Sequence, residues 1–142
     1  MYAKGLGVPQ DHAAGAHWLR KAADKGLAVA QLVLGDMYFR ADGVPQDYRA
    51  AASWYRKAAD QGNRLAQHNL AFMYTEGWGV PQNYVIAHMW YNLAAATEDS
   101  SKPLSLRNAA KGRVMVAAKM TPAQIAEAQR LAREWKPKST PR

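Results

Sequence analysis

The sequence of 142 residues contains no cysteine. Disulfide scaffolds, thiolate metal sites and cysteine nucleophiles are therefore excluded, while the redox compartment stays open. Long apolar runs are lacking as well, since no stretch approaches the roughly 20 apolar residues that a membrane helix needs. The N-terminus also lacks the charged-then-apolar pattern of a signal peptide. We expect a soluble chain without a membrane span.

Side-chain groups that could perform catalysis are lacking too. Paired acids are not found, and the Gly-rich turn around Trp78 has no Lys-Ser/Thr pair of a phosphate-binding loop. The four histidines show no metal-ligand spacing and are predicted to be structural or surface residues: His12, His17, His68 and His88. The sequence therefore predicts no catalytic residue, no metal and no cofactor.

A five-residue segment, Gly-Val-Pro-Gln followed by Asp or Asn, occurs three times at intervals of 36 residues. The same offset superposes Trp18 on Trp54 and Trp90. A fixed period of this size indicates supersecondary units stacked on their neighbours, each burying a face that it could not bury alone. The recurring Trp and Tyr residues are accordingly predicted to pack in the core.

Each unit has the pattern of two helices. Asp47 precedes an Ala-rich run without Gly or Pro, so it is a natural N-cap. Ala50, Trp54 and Ala58 fall at i, i+4 and i+8 and form one apolar stripe. Gly62 ends the run, and a second periodic run follows it. The sequence therefore predicts an all-α protein of antiparallel helix pairs, an α/α solenoid.

The residues of these units resemble a known family. Residues 30–38 match the pattern Ala-Gln-x-x-Leu-Gly-x-Met-Tyr, and residues 43–48 match Gly-Val-x-Gln-Asp-Tyr. Residues 51–62 match Ala-x-x-Trp-Tyr-x-Lys-Ala-Ala-x-x-Gly. Together they resemble the Sel1-like repeat of bacterial proteins, a relative of the tetratricopeptide repeat, and the resemblance covers residues 1–97.

The resemblance implies a right-handed superhelical solenoid that acts as a non-enzymatic scaffold and binds a partner protein or peptide. One domain is expected over residues 1–142, with an incomplete first repeat. The repeats are expected at residues 1–26, 27–62 and 63–98. The bacterial cytoplasm and the periplasm both remain open as the location.

Two further helices are predicted to cap the array. The first, over residues 103–119, has Gly112 as a weak point. Its predicted inward residues are Leu106, Ala110, Val114 and Ala117. The second, over residues 121–135, opens on a capping box of Thr121 and Gln124. Its predicted inward residues are Ile125, Ala128, Ala132 and Trp135. The tail over residues 136–142 is predicted to be disordered.

The first unit begins inside a helix. Met1 and Tyr2 align with the last turn of a first helix whose earlier residues are missing. We expect either a fragment of a longer protein, which is the favoured alternative, or a second chain covering the face around Trp18 and Ala22. A monomer, or a dimer through this open end, is therefore predicted.

The first helix of each pair is expected to line the concave face of the solenoid. If Ala30 and Leu34 point to the core, a 100° advance per residue sends a second set of side chains to the opposite side. This predicted partner-binding set is Leu32, Asp36, Phe39, Arg64, His68, Phe72 and Thr75. Its two phenylalanines would be apolar anchors, with Gln67 among the polar neighbours. The alternative is that the set is simply exposed or contacts the adjacent helix.

The net charge of +8 is concentrated at one end. Residues 1–101 hold nine Lys/Arg and nine Asp/Glu, whereas residues 102–142 hold ten Lys/Arg and two Glu. An alternative function is therefore electrostatic binding of an anionic partner, either nucleic acid or an acidic surface. The residues involved would be Lys102, Arg107, Lys111, Arg113 and Lys119, joined by Arg130 and Arg133. Nucleic acid is less favoured because interleaved stacking aromatics are lacking, and a solvated basic surface is the remaining alternative.

Overall fold

The computed structural model describes residues 9–138, with side chains from residue 15 onward. In this part of the chain it contains helices and no strand, which confirms the predicted all-α class. The α-helices within it are α1 (Pro9–Asp24), α2 (Ala28–Arg40), α3 (Tyr48–Asp60), α4 (Arg64–Glu76), α5 (Tyr84–Ala96), α6 (Asn108–Ala117) and α7 (Pro122–Glu134). A short 3-10 helix, Leu104–Leu106, precedes α6.

Local signals start and end the repeat helices. The side chains of Asp47, Asn63 and Asn83 each accept a hydrogen bond from the backbone N–H three residues later, at 2.9 to 3.1 Å. This confirms the N-cap predicted at Asp47. Gly77 ends α4 in the left-handed conformation, and Ala41 takes the same conformation at the end of α2 with φ 57°.

Consecutive helices pack on one another from α1 to α6, and α5 also packs against α7. Within the repeats, α2 and α4 are the first helices and α3 and α5 are the second helices, while α6 takes the next first-helix position. Small side chains at these interfaces let the helices approach closely. The fully buried alanines of the repeat helices are Ala51, Ala58, Ala59, Ala66, Ala71, Ala87 and Ala94.

The three tryptophans at one repeat position differ in burial. Trp90 is 1% exposed, Trp54 is half-buried and Trp18 is 62% exposed. Trp90 meets the ring of Trp135 edge-on, with 6.1 Å between ring centroids. The predicted core position is therefore confirmed for Trp90 and wrong for Trp18. The difference arises because burial here depends on what packs over the second helix, which changes along the array.

The first capping helix begins later than predicted. α6 starts at Asn108 rather than near residue 103, and residues 104–106 form the 3-10 helix. The Glu98 carboxylate accepts hydrogen bonds from the backbone N–H groups of Ala109 and Ala110, at 2.8 and 3.1 Å. Because this carboxylate occupies free N–H groups of the first turn, it fixes the start of α6.

The inward face of α6 also differs from the prediction. Leu106 and Val114 are exposed, whereas Ala110 is buried as expected, together with Ala109 and Val116. A Cβ atom at Gly112 would overlap the ring of Tyr91 on α5. The helix backbone at Gly112 therefore packs directly on this ring. Val114 lies about 200° around the helix from Gly112 and so faces solvent.

The second capping helix agrees with its sequence signals. Gln124 N–H donates to Thr121 Oγ1 at 3.1 Å, and Thr121 N–H donates to Gln124 Oε1 at 2.8 Å, which confirms the capping box. Ala128 is fully buried, and Trp135 at the end of α7 is half-buried beside Trp90. α7 thus covers the outer side of α5.

The segment after α7 returns to the repeats. The backbone N–H of Lys138 donates to the Asp60 carbonyl oxygen at 2.6 Å, and Lys138 Nζ lies 3.3 Å from the Asp60 carboxylate. The described end of the predicted tail, at Lys138, therefore contacts the end of α3. The rest of the predicted tail, residues 139–142, lies outside the described residues, as do residues 1–8 of the incomplete first repeat.

Candidate partner-binding groove

A cavity of about 380 Å³ opens between α4 and α6. We call it the α4/α6 groove. Its apolar lining includes Phe72 of α4, Tyr91 of α5, and Met115 and Val116 of α6. Phe72 is 37% and Met115 71% exposed, whereas Tyr91 and Val116 are buried. The groove thus has a buried apolar base between two exposed apolar walls.

Tyr91 determines the depth of the groove. Gly112 packs against its ring from α6, and the ring of His68 meets it edge-on at a centroid distance of 5.6 Å. Burial raises the pKa of the Tyr91 hydroxyl above its ordinary value, and the Glu76 carboxylate acts in the same direction against a hydrogen bond with Thr75. Tyr91 is therefore a neutral hydroxyl at physiological pH.

A second cavity of about 230 Å³ adjoins the groove. We call it the basic cavity, because Arg64, Lys102 and Arg107 line it. His68 and Asn108 line both cavities. The carboxylates of this region, Glu98 and Asp99, also border the basic cavity.

Both carboxylates of the basic cavity are engaged locally. Glu98 caps α6, and Asp99 accepts hydrogen bonds from the backbone N–H and the hydroxyl of Ser101, at 3.0 and 2.6 Å. The hydrogen bonds from Ser101 lower the pKa of Asp99 below its ordinary value. Glu98 therefore holds the first turn of α6, and Asp99 holds the loop before it.

Four aromatic rings form a cluster at the edge of the groove. Trp78, in the turn after α4, stacks on Tyr48 at 5.4 Å and meets Phe72 edge-on at 5.4 Å. Phe39 lies 5.9 Å from Trp78 and 5.1 Å from Tyr48. The two phenylalanines predicted as apolar anchors are thus packed on Trp78, and Phe72 remains partly open to the groove.

The residues predicted on α2 contact the adjacent helices. Leu32 is buried in the core at 9% exposure, so the prediction that it faces a partner is wrong. Asp36 accepts hydrogen bonds from the Tyr55 hydroxyl at 2.5 Å and from the Asn69 amide at 3.5 Å. Burial, together with this bond to Asp36, raises the pKa of Tyr55. A first helix of this solenoid has neighbours on two sides, so the helical-wheel argument for a single buried side fails.

The residues predicted on α4 are placed differently. His68, Phe72 and Thr75 line the groove together. Arg64 lines the basic cavity and donates to the Thr97 carbonyl at 3.0 Å. Their polar neighbour Gln67 is buried instead and donates to the Ala59 carbonyl at 3.3 Å.

The predicted basic residues divide among four environments. Lys111 and Lys119 line the α4/α6 groove, and Lys102 and Arg107 line the basic cavity. Arg113 turns toward α5 and donates to Asn92 Oδ1 at 2.8 Å. On α7, Arg130 forms ion pairs with Glu127 at 2.7 Å and Glu134 at 2.9 Å. The positive charge near the groove therefore comes from the α6 region and from Arg64 on α4, and not from Arg130.

Sequence reasoning missed three residues of this region. The sequence predicts only a turn around Trp78, but Asp42 stands 36 residues before it, so this ring is specific to one unit. Tyr91 has a repeat equivalent, Tyr55, and so was assigned to the core. Met115 had no motif to identify it. The presence of Trp in one repeat and Asp in the other is the one sequence difference that points to a site at this turn.

Across the described side chains, no group of three or more His, Asp or Glu is placed to hold a metal ion. None of the helices between residues 9 and 138 is long and apolar enough to span a membrane.

Stacked helix pairs of this kind define an α/α solenoid repeat protein. Comparison with protein families matches the Sel1 repeat at residues 1–27, 28–63 and 64–96. The chain belongs to the Sel1 repeat family. Proteins of this family are in general non-enzymatic scaffolds for protein–protein interaction.

Two solved structures are similar to this chain. A protective antigen present in uropathogenic Escherichia coli strains, displaying an SLR fold, is 33% identical with a TM-score of 0.82. The match covers 90% of this chain but 26% of the antigen, so this chain spans about a quarter of its length. A Sel1 repeat protein from Oxalobacter formigenes is 41% identical with a TM-score of 0.59, over 61% of this chain and 66% of that protein. No curated protein matches the sequence.

Proposed function

We propose that this chain is a non-enzymatic scaffold that binds a partner protein or peptide in the α4/α6 groove. The observation that carries the proposal is the pair of exposed apolar walls, with Phe72 37% and Met115 71% exposed on either side of a buried base. Exposed apolar side chains around a concave site are typical of binding surfaces. The family's general role as a scaffold supports the same function.

The two walls have complementary properties for recognition. Phe72 is held edge-on against Trp78, so it loses little side-chain entropy when a partner binds. Met115 has a flexible and polarizable side chain that adapts to different apolar surfaces. The groove thus combines a fixed anchor with an adaptable wall.

Substitution of each wall tests the proposal. We expect a protein that wild type retains from a nuclease-treated lysate of the source cell to be lost from Phe72→Ala and from Met115→Ala. Each change removes apolar contact worth about 1–2 kcal/mol of binding. The readout is the amount of the retained protein, identified by mass spectrometry.

Val29→Ala is the matched control, because Val29 is a highly exposed apolar residue of α2 outside the groove. Melting temperatures are measured beside capture, since Phe72 also packs on Trp78. Retention that survives both groove substitutions would contradict the proposal. Equal loss with Val29→Ala would do the same.

Electrostatic binding of an anionic partner is the second candidate function. The observation in its favour is that Lys111 and Lys119 line the groove while Lys102 and Arg107 line the adjoining basic cavity. Capture that falls steeply with salt but persists in Met115→Ala would favour this function over apolar docking.

A further inference from the structure

Resting on the proposed function, we propose that the occupant of the α4/α6 groove is an acidic peptide segment that carries one large apolar side chain. The segment would place this side chain in the groove and its carboxylates over the adjoining basic cavity. The shape of the groove, its charge and its continuity with the basic cavity support this assignment.

The size of the groove suits one large side chain. Its volume of about 380 Å³ lies at the lower end of the range of small-molecule sites. Phe72, Met115 and the base formed by Tyr91 and Val116 surround it with apolar surface. An aromatic or branched aliphatic side chain would bury most of its area against these apolar residues, and a carboxylate beside it would lie near Lys111 and Lys119, which also line the groove.

The charges around the two cavities favour an anionic partner. The basic residues that line them are Arg64, Lys102, Arg107, Lys111 and Lys119. The acidic ones are Glu76, Glu98 and Asp99. Positive charge is therefore in excess, and Glu98 and Asp99 already accept hydrogen bonds from the chain itself. Glu98 and Asp99 therefore do not fully neutralise the five basic residues, which remain able to attract the carboxylates of a partner.

The two cavities form one continuous path. His68 and Asn108 line both of them, so an extended segment that follows α6 passes from the apolar groove to the basic cavity without leaving the surface. A peptide rise of about 3.3 Å per residue lets neighbouring side chains reach both cavities.

A peptide fits this path better than nucleic acid. Base stacking requires open ring faces, but Tyr91 is buried and meets His68 edge-on. Trp78, the large ring beside Phe72, has one face covered by the stacked ring of Tyr48. The basic residues thus surround an apolar groove and not a set of open ring faces on which bases could stack.

Selection of short random peptides displayed on phage tests the inference directly. On wild type we expect enrichment of sequences that combine several Asp or Glu with one Phe, Trp, Leu or Ile. One enriched peptide is then synthesised. Its affinity should be at least about tenfold lower for Phe72→Ala and for the double variant Lys111→Glu/Lys119→Glu than for wild type. The double variant Lys21→Glu/Lys25→Glu changes net charge equally at the far end of the array and should bind like wild type.

The outcomes separate this inference from the proposed function. Selected peptides that are neutral or basic and yet fail to bind Phe72→Ala would keep the groove as the binding site and overturn the inference that its partner is acidic. Selected peptides that bind wild type and Phe72→Ala with equal affinity would overturn both the acidic-peptide inference and the proposed binding in the groove. No enrichment on wild type would overturn the peptide inference, while lysate capture still decides the scaffold function. A labelled oligonucleotide that binds wild type and Phe72→Ala equally, but not the Lys111/Lys119 variant, would replace the peptide by nucleic acid.

Discussion

His88 is a buried polar residue next to the groove-forming helix α6. It is 2% exposed, and its Nδ1 atom has no hydrogen-bond partner among the described residues. Alanines stand at the equivalent positions of the preceding units, Ala16 and Ala52, and both are buried as well. Burial lowers the pKa of His88 below its ordinary value, and the Arg113 guanidinium acts in the same direction.

The folded state therefore holds His88 neutral, whereas the unfolded chain takes up a proton near its ordinary pKa of 6.5. Stability from this group is fully present above that pH and is lost as the pH falls below it, by at most about 1.4 kcal/mol per pH unit. Urea unfolding between pH 7.5 and 5 measures this slope. His88→Ala, which restores the residue of the other repeats, should flatten the slope, and an unchanged slope would contradict the assignment.

At the scale of elements, contacts of both its N-terminal turn and its middle with the preceding chain position α6. The Glu98 carboxylate holds its N-terminal turn, and Gly112 places its backbone on the Tyr91 ring. Glycine in a helix interior costs about 1 kcal/mol relative to alanine. Here that cost is offset by the close packing of the α6 backbone on the Tyr91 ring, which a side chain at this position would prevent.

Gly112→Ala should therefore destabilise the protein despite the better helix propensity of alanine. The added methyl group overlaps the Tyr91 ring, and such overpacking costs about 1–3 kcal/mol. Gly15→Ala in α1 is the matched control, because a Cβ there meets nothing within 4 Å. It should stabilise by up to about 1 kcal/mol. Urea midpoints of the two variants that move in the same direction would argue against the packing role of Gly112.

At the scale of the whole molecule, the C-terminal segment packs back onto the repeats. α7 covers α5 through Ala128 and Trp135, and the chain then runs back to Asp60 at the end of α3. In a solenoid each unit contacts its neighbours alone, so a terminal cap protects the last repeat from solvent. Trp90 owes its burial to this cap, whereas Trp18 at the equivalent position is exposed.

Trp135→Ala should lower stability by about 1–3 kcal/mol, because it removes an edge-to-face contact and opens Trp90 to water. Thermal unfolding measures the loss, and hydrogen exchange should show α6 and α7 opening before α2 to α4. Trp18→Ala is the control with the same chemical change at an exposed site, expected within about 0.5 kcal/mol of wild type. A similar loss in both variants would mean that the cap does not protect the array.

Local sequence signals predicted much of the fold but little of the groove. The capping residues Asp47 and Thr121 were recognised because an N-cap acts within its own turn. Leu32 and Val114 were misplaced because their orientation depends on which helices lie beside their own. Phe72 was found as an exposed first-helix residue, yet its wall partner Met115 comes from a helix about 40 residues later in the chain.

The sequence by itself determined the all-α class, the 36-residue unit, the family and the sites where most helices begin and end. These properties follow from spacing and from contacts within one or two turns, which a linear pattern records. The tertiary structure alone decided that α4 and α6 enclose an apolar groove beside a basic cavity. That arrangement depends on the approach of α6 to Tyr91 across separate units, and no local pattern encodes the distance between two helices.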